Sequence, residues 1–464
     1  MIAMNRTTTS QKLCAALAAL ALAGCAIGPD YARPKLDIPA QFKEDGRWKS
    51  AEPQDAMPRG DWWTVFQDPT LNRLMGTLNQ QSPTIAQAEA QYRAAQAQLR
   101  QAQAGLFPSL SANASRSHGV SAPGDGAATS YNLGLSASWE VDLWGAVRRE
   151  VEAGKAKQQA SEAQLAAIRL SSQAQLATAY LQLVVADRQL ANLRDSEKAL
   201  GEALKLTRNQ FAAGIVGDEA VASAESQWHA AQASVVDKQL TRAQLEHAIA
   251  AQLGQAPASF SLPPAAETPH LPQIPAGIPS ALLERRPDVA AAERNMAVAN
   301  AQIGIAKAAF FPTLTLGASG GYRGSTFADW VTLPNRIWSV GPSLALTLFD
   351  AGLRRAQTEQ AIANYDASVA SYRQTVLAAL QGVEDNLSAQ SLLQEESGMQ
   401  TAALAAAKRA ETIAMNQYQA GTVAYLNVLS AQNARINAEN NLWNVVNRQY
   451  AGSVALIAAL GGRW

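Results

Sequence analysis

The sequence predicts an α+β membrane protein. Long α-helices make up most of the chain, and four strands contribute to a transmembrane β-barrel that only oligomerisation can complete. Three observations lead there: a helix-building composition, an internal duplication, and strand-length segments of alternating polarity. Of 464 residues 48% are hydrophobic, yet 95 are alanine and only 6% aromatic. Side chains this small fill a globular core poorly but let helices approach closely, and alanine with Gln, Leu, Glu and Arg is a helix vocabulary. The 38 basic and 38 acidic residues balance to zero net charge, which argues against a nucleic-acid binder, since that role needs a basic excess. Two cysteines make neither a disulfide framework nor a multi-cysteine zinc site.

Both cysteines lie at the start of the chain. Arg6 and Lys12 precede an apolar run from Leu13 to Ala23. About eleven residues are too few for a bilayer, which takes about 20 helical residues, but they suit a signal peptide. The run ends in Leu22-Ala23-Gly24-Cys25, the form of a bacterial lipobox. Residues 1–24 then read as a lipoprotein signal peptide and Cys25 as the lipid attachment site, bearing diacylglycerol and N-acyl groups. An ordinary signal peptide with an incidental cysteine is the competing reading. Ala26, in place of the aspartate that favours inner-membrane retention, points to the outer membrane. Residues 25–82 read as a lipidated N-terminal arm. It opens with Gly28-Pro29-Asp30-Tyr31, and its proline-containing stretch to Pro69 is expected to be extended.

The duplication fixes the organisation beyond the arm. Pro83-Thr-Ile-Ala86 opens a helical pattern that closes at Phe107-Pro108, and Pro287-Asp-Val-Ala290 opens one that closes at Phe311-Pro312, with the same spacing of 25 residues between prolines. Within that window Ala86, Ala88, Glu89, Ala95, Ala97, Gln98, Ala102 and Ala104 recur at an offset of 204. Asn209-Gln210-Phe211 with Gly214 pairs with Asn416-Gln417-Tyr418 with Gly421 at an offset of 207, as Leu253-Gly254 does with Leu460-Gly461. Residues 83–256 and 287–464 are therefore two structural repeats, each a helix, two strands and a long helical hairpin. They are joined by a proline-rich linker over 257–286.

Each copy contains a long proline-free run, which reads as long helices. Copy one is expected to have helices at 84–106, 146–212 and 219–253, and copy two at 288–310, 353–417 and 424–460. A helix over 146–212 would reach about 100 Å at 1.5 Å per residue. Val376, Leu380, Val383 and Leu387 step like a coiled-coil seam.

Strands are expected at 109–119, 131–143, 313–323 and 337–348. In the second, odd positions from Tyr131 to Leu143 are apolar except where alanine stands, and even ones are Asn, Gly, Ser, Ser, Glu and Asp. Trp338, Val340, Leu344 and Leu346 alternate with Ser339, Gly341 and Ser343 in the fourth. Segments of about ten residues, apolar on one face and polar on the other, suit a transmembrane barrel. Four strands cannot close one, and open edges in lipid would cost several kcal/mol for each unpaired backbone group. Two copies would give eight strands and three would give twelve.

The lipobox, Gly-Pro-Asp-Tyr, Trp62-Trp63, the linker end Leu282-Leu283-Glu284-Arg285-Arg286-Pro287-Asp288, the repeated Phe-Pro and the terminal Ala459-Leu460-Gly461-Gly462 together resemble the outer membrane factor family, the TolC-like channels, in its OprM-like lipoprotein branch. The resemblance covers essentially the whole mature chain. It implies a homotrimer with a β-barrel in the outer membrane and a helical barrel across the periplasm. It also implies a periplasmic adaptor and an inner-membrane pump as partners in tripartite efflux of drugs, metals or other solutes. A type I-like secretion duct is the alternative within that class; a structural tether or an adaptor lipoprotein is the alternative outside it, and an adaptor would not carry duplicated alternating strands. No cofactor, metal or catalytic site is expected: His118, His229, His247 and His270 are scattered, without a phosphate loop or metal spacing.

In relatives of this kind acidic and other polar residues close the periplasmic tips, which here correspond to Gly214–Val221 and Gly421–Ser430. Gly214, Asp218 and Glu219 in the first tip, and Gly421, Tyr425, Asn427 and Ser430 in the second, are the gate residues the resemblance assigns. This sequence departs from the family pattern in having Asn427, Ser430 and Ala220 where aspartates are common. Asp218 and Glu219 equally suit a helix N-terminus, where acids meet the positive end of the dipole.

Overall fold

The computed structural model describes residues 26–34, 43, 60–120, 126–265, 267–272, 274 and 286–462. The signal-peptide and lipobox readings, Cys25 included, lie outside the described residues. In chain order the elements are α1 (Pro69–Gln81), α2 (Pro83–Ala104), β1 (Ser109–Gly119), β2 (Ala128–Val141), α3 (Ala146–Ala212), α4 (Asp218–Gln252), α5 (Pro287–Ala308), β3 (Thr313–Gly324), β4 (Arg336–Ala345), α6 (Leu353–Gln419) and α7 (Tyr425–Ala459). The helices of the two copies have equal lengths: 22 residues in α2 and α5, 67 in α3 and α6, 35 in α4 and α7. Their ends fall within two residues of the expected ones, because the punctuation is repeated: proline at the first position of α2 and α5, and glycine past the last turn of the hairpin helices.

The strands differ more. β2 begins at Ala128, since Ala128, Thr129 and Ser130 pair with Gly119, His118 and Ser117 although they show no alternation. It ends at Val141, opposite Leu314, because β3 starts at Thr313 and offers nothing beyond. For the same reason β4 stops at Ala345, opposite Thr313, rather than running to 348.

Packing divides the chain into two compact units, one of Met1–Leu36, Gln91–Ala163 and Ala290–Gln374, the other of Asp37–Ala90, Gln164–Val289 and Thr375–Trp464. The first holds a four-stranded antiparallel sheet in the order β1-β2-β3-β4. It arises because each β1–β2 and β3–β4 pair is a hairpin, and β2 and β3 then meet in register.

The second unit holds the main hydrophobic core. Phe66, Leu71, Met75 and Leu78 pack with Leu176, Leu181, Val184, Ile249, Leu253, Leu456 and Ile457. Each such side chain contributes about 1.5–3 kcal/mol by leaving water. Here the end of the expected extended stretch is corrected: Trp62–Phe66 is a 3-10 turn and α1 begins at Pro69. Pro69 stands in the first turn of α1, Asp68 caps it by accepting from Leu71 N–H at 2.8 Å, and buried positions 71, 74, 75 and 78 have the spacing of one helix face. Pro69, one of the prolines that suggested extension, marks a helix start. Val376, Val383 and Leu387 of the expected seam are buried, and Leu380 packs against the same core.

The proline-rich connection is fastened to this unit by charge. Arg242 reaches Asp187 at 2.6 Å and Glu246 at 3.1 Å and donates to Leu262 O. Asp187 and Glu246 accept from the backbone N–H of Ala265 and Leu262. Further along, the Tyr450 hydroxyl donates to Pro269 O.

Candidate functional site

Residues opposite one another in a sheet share a face, so the register sorts the side chains. One face carries Leu110 opposite Ala137, Ala137 opposite Ala318 and Ala318 opposite Val340; above and below stand Leu135, Trp139, Leu314, Leu316, Trp338 and Leu344. Trp338 and Val340 are 73% and 74% exposed in the single chain. The other face is small and polar. Ser111, Ser136, Ser319 and Ser339 form one row across all four strands, with hydroxyl pairs at 2.8 Å between Ser111 and Ser136 and between Ser319 and Ser339. Glu140 and Arg323 lie on this face toward its two ends. The outer edges of β1 and β4 have no strand partner among the described residues.

Aromatic side chains flank the strands at both ends. Trp144 and Phe311 rings lie 4.8 Å apart, and the indoles of Trp144 and Trp139 donate to Pro312 O at 2.7 Å and Leu106 O at 3.1 Å. At the hairpin ends Tyr131 meets Phe327 and Trp330 at 5.6 and 5.8 Å. Aromatic girdles at two interfaces are a mark of membrane barrels. The repeated Phe-Pro, read in the sequence as the close of a helical pattern, places Phe311 at the first of these ends.

The junctions from strand to long helix repeat one device that sequence reasoning missed. Asp142 accepts from the N–H of Val147 and Arg148, and the Arg148 guanidinium pairs with it at 3.1 Å. Asp350 accepts from the N–H of Gly352 and Arg354 and pairs with the Arg354 guanidinium at 2.6 Å. The Arg354 bond holds the Asp350 carboxyl below its usual range. The aspartate caps the helix and the arginine neutralises it. An Asp, Gly and Arg cluster in both copies was the available signal.

Residues 27–33 form a strap within the first unit. Ile27 N–H donates to Trp144 O at 3.0 Å. The Arg149 side chain, only 4% exposed, donates to Ile27 O, Gly28 O and the Asp30 carboxylate, and pairs with Glu152 at 2.7 Å. Burial works against its charge, but the bonds to Glu152 and Asp30 outweigh that and its pKa is raised. Asn300 donates to Pro29 O, Tyr31 to Glu293, and Arg33 to the Tyr372 hydroxyl. Burial, reinforced by Glu293, pushes the Tyr31 hydroxyl up. Gly-Pro-Asp-Tyr thus places Gly28 against Gly304 and Asp30 on Arg149.

The hairpin turns of the second unit are built alike. Gly214 and Gly421 have φ of 71° and 73°. Ile215 N–H donates to Gln210 O and Thr422 N–H to Gln417 O, both at 2.9 Å, the six-to-one bond of a Schellman ending. Asp218 and Glu219 are exposed in the first turn of α4. Tyr425 begins α7, packs on Tyr418 at 5.0 Å, and is pushed up to about 12 by burial and by Tyr418. Gln210 donates to the Tyr418 hydroxyl at 2.6 Å, joining the two hairpins. Asn427 and Ser430 are exposed, and the Ser430 hydroxyl is taken by its own helix at Leu426 O. Tyr425 is therefore brought into the hairpin contact, whereas Asp218 and Glu219 enter no ion pair among the described residues.

A sheet with an exposed apolar face, a serine-lined reverse and two girdles, in a chain that also has duplicated helical hairpins, defines a subunit of a membrane channel. A family model described as outer membrane efflux protein matches residues 74–255 and 278–462. The chain is 30% identical over 467 residues to the probable efflux pump outer membrane protein TtgC of Pseudomonas putida, with 98% of this chain and 96% of that one covered. It is 28% identical over 454 residues to the cation efflux system protein CusC of Escherichia coli, with 96% and 97% covered. The solved outer-membrane channel OprN superposes with a TM-score of 0.86 at 32% identity, over 95% of this chain and 100% of that one. The chain belongs to the outer membrane efflux protein family. It is an efflux channel of the outer membrane, with its helical part in the periplasm.

Proposed function

We propose that three copies close one barrel, each giving the four strands of its sheet, and that the assembly is a passive exit duct for small molecules. The energy comes from an inner-membrane pump, and a periplasmic adaptor docks the two. One observation carries the reading: a sheet whose outer edges have no strand partner among the described residues, apolar on one exposed face and serine-rich on the other. Unpaired edges in lipid are prohibitive, so copies must complete one another. A barrel of about eight strands has its interior filled by side chains, so two copies would leave no passage. Twelve strands lined by serine and glycine leave a lumen.

The turns after α3 and α6 are assigned to the docking and gating pole, with Gly214, Asp218, Glu219, Gly421, Tyr425, Asn427 and Ser430 as its residues. The paired, exposed Schellman turns support this. With Asn427 and Ser430 neutral, Asp218 and Glu219 supply the acidity. Cys25 carries acyl chains that aid delivery, beside a strap whose first described residues are bolted to α3 and α5. Cargo is left to the pump: the serine row offers hydroxyls to any solute and a shaped pocket to none.

Purified protein in planar bilayers should give discrete ion-conducting steps, and native mass measurement in mild detergent should give three chains. A stable folded monomer, or trimers without conductance, would overturn the proposal.

A further inference from the structure

We infer that the outer rim of the apolar sheet face binds the phosphate groups of an outer-leaflet glycolipid; this rests on the barrel reading, which makes that face the lipid face. The ends of the strands at Ser109, Val141, Thr313 and Ala345 lead to helices, so with periplasmic helices the opposite, hairpin ends are the outer ones. From Val141 to Tyr131 on β2 the outward residues climb about 26 Å, at about 3.4 Å per residue and a tilt of about 40°. An outer-membrane barrel carries an apolar band about 25 Å tall. Tyr131 therefore marks the outer edge of the hydrocarbon.

At that edge the face changes character. Leu133, Leu135 and Ala137 stand opposite Ala114, Ala112 and Leu110, but Tyr131 stands opposite Arg116, and in the next row inward Tyr322, opposite Leu133, stands opposite Arg336. Both arginines are exposed. The ion pairs of the described residues include neither. The Arg116 guanidinium sits 5.8 Å from the centre of the Tyr131 ring, which Phe327 and Trp330 flank. Two cations with no ion pair among the described residues, in the two outermost rows of an apolar band and with an aromatic collar between, match a ligand that has anions at the rim and acyl chains beneath. Guanidinium forks suit phosphate, and they act most strongly where water is partly excluded. A soluble phosphate has no use for the band. Arg323, opposite Asn132 on the serine face, cannot serve and is the natural control.

The test uses delipidated trimers in phosphatidylcholine nanodiscs, titrated with a bis-phosphorylated lipid-A-type glycolipid, its dephosphorylated counterpart and inorganic phosphate, and read by native mass spectrometry. The phosphorylated glycolipid should bind, its dephosphorylated form should bind at least about tenfold more weakly, and Arg116→Gln with Arg336→Gln should weaken the phosphorylated form by about tenfold or more. Arg116→Lys with Arg336→Lys should fall between, Arg323→Gln should match the parent, and single-channel conductance of the double glutamine variant should be unchanged. Equal binding by parent and double variant, equal affinity for the dephosphorylated lipid, or displacement by millimolar inorganic phosphate would overturn the inference. A parent protein that forms no conducting trimer would instead count against the barrel reading.

Discussion

Replacing Gly28 by alanine should release the strap. Gly28 has φ of 105°, and a Cβ there would stand 2.5 Å from the Cα of Gly304. Carbon contacts settle at about 3.5–4.0 Å, so the strap must lift by about 1 Å or more. The bonds of Arg149 to Ile27 O and Gly28 O, at 3.3 and 3.2 Å, and of Asn300 to Pro29 O at 2.9 Å, would then exceed hydrogen-bond reach. Three such bonds contribute about 0.5–1.5 kcal/mol each, and the left-handed backbone costs alanine about 1–2 kcal/mol. The Asp30 pair adds little, because that carboxylate is 94% exposed and screened. The total is about 3–6 kcal/mol of local stability, or about two to four decades in an opening equilibrium. Amide exchange at Ile27, whose N–H is held by Trp144 O at 3.0 Å, should accelerate by that factor, or to the free-chain limit if it is reached first. Gly304→Ala should do less, since its Cβ would meet the flexible Arg149 Cγ as well as Ile27 O, both at 2.9 Å. Unchanged exchange in the Gly28 variant, or the reverse order of the two, would refute the packing argument.

A Cβ added at Gly214 or Gly421 meets no heavy atom within 4 Å, so the main cost of valine at both is backbone strain at positive φ, about 1–2 kcal/mol or more per turn; conducting trimers should persist while efflux-dependent tolerance falls, and normal efflux would remove these turns from the docking pole. Tyr425 is raised from 10.0 to about 12, so its contribution is complete below about pH 10 and is lost as pH rises to about 12; thermal unfolding of the parent should weaken relative to Tyr425→Phe across that window, and parallel profiles would contradict the burial of the phenol. Arg323→Glu reverses a charge on the serine face and should shift reversal potentials toward cation preference; an unmoved potential would mean that face does not line the lumen. Cys25→Ser should yield unprocessed or mislocalised precursor, whereas a mature chain still starting at residue 25 would sink the lipobox reading.

The helices were legible because their signals are local. Pro83, Pro287, Gly214 and Gly421 each act through one residue's own dihedrals, and the long proline-free runs between them leave little else to choose. The strands were legible in type but not in extent: Leu346 and Leu348 alternate as well as Val340 does, but whether they pair is decided by where β3 begins. The end of the expected extended stretch, from Trp62 to Pro69, is not legible because proline breaks regular structure in most contexts but, after Asp68, starts a helix. The strap was legible only as a motif. Nothing in Gly28-Pro29-Asp30-Tyr31 names Gly304 or Arg149, more than a hundred residues away, and only the fold brings them together. Among the gate residues, Gly214 and Gly421 declared their conformation in advance, but the Tyr418 contact of Tyr425 spans two helices and could not be read from spacing.

The duplication shows which physical demands bind tightly. Leu204, Val221 and Ala224 form an apolar cluster with Trp228 between α3 and α4. At the offset of 207 the positions of Leu204 and Trp228 are held by Glu411 and Arg435, which pair at 2.7 Å between α6 and α7, with Glu439 beside them at 2.8 Å. The same contact is thus oily in one hairpin and ionic in the other. Helix lengths did not diverge with it, because a one-residue change in a helix rotates every later side chain by about 100° and would undo the packing of the whole hairpin. A large apolar pair and a half-buried arginine–glutamate pair fill comparable space, and the arginine stem still covers apolar surface. The ionic version, however, leaves a stranded charge if its partner moves away, and it weakens with salt where it reaches solvent. Two hairpins of one geometry therefore resist separation by different means.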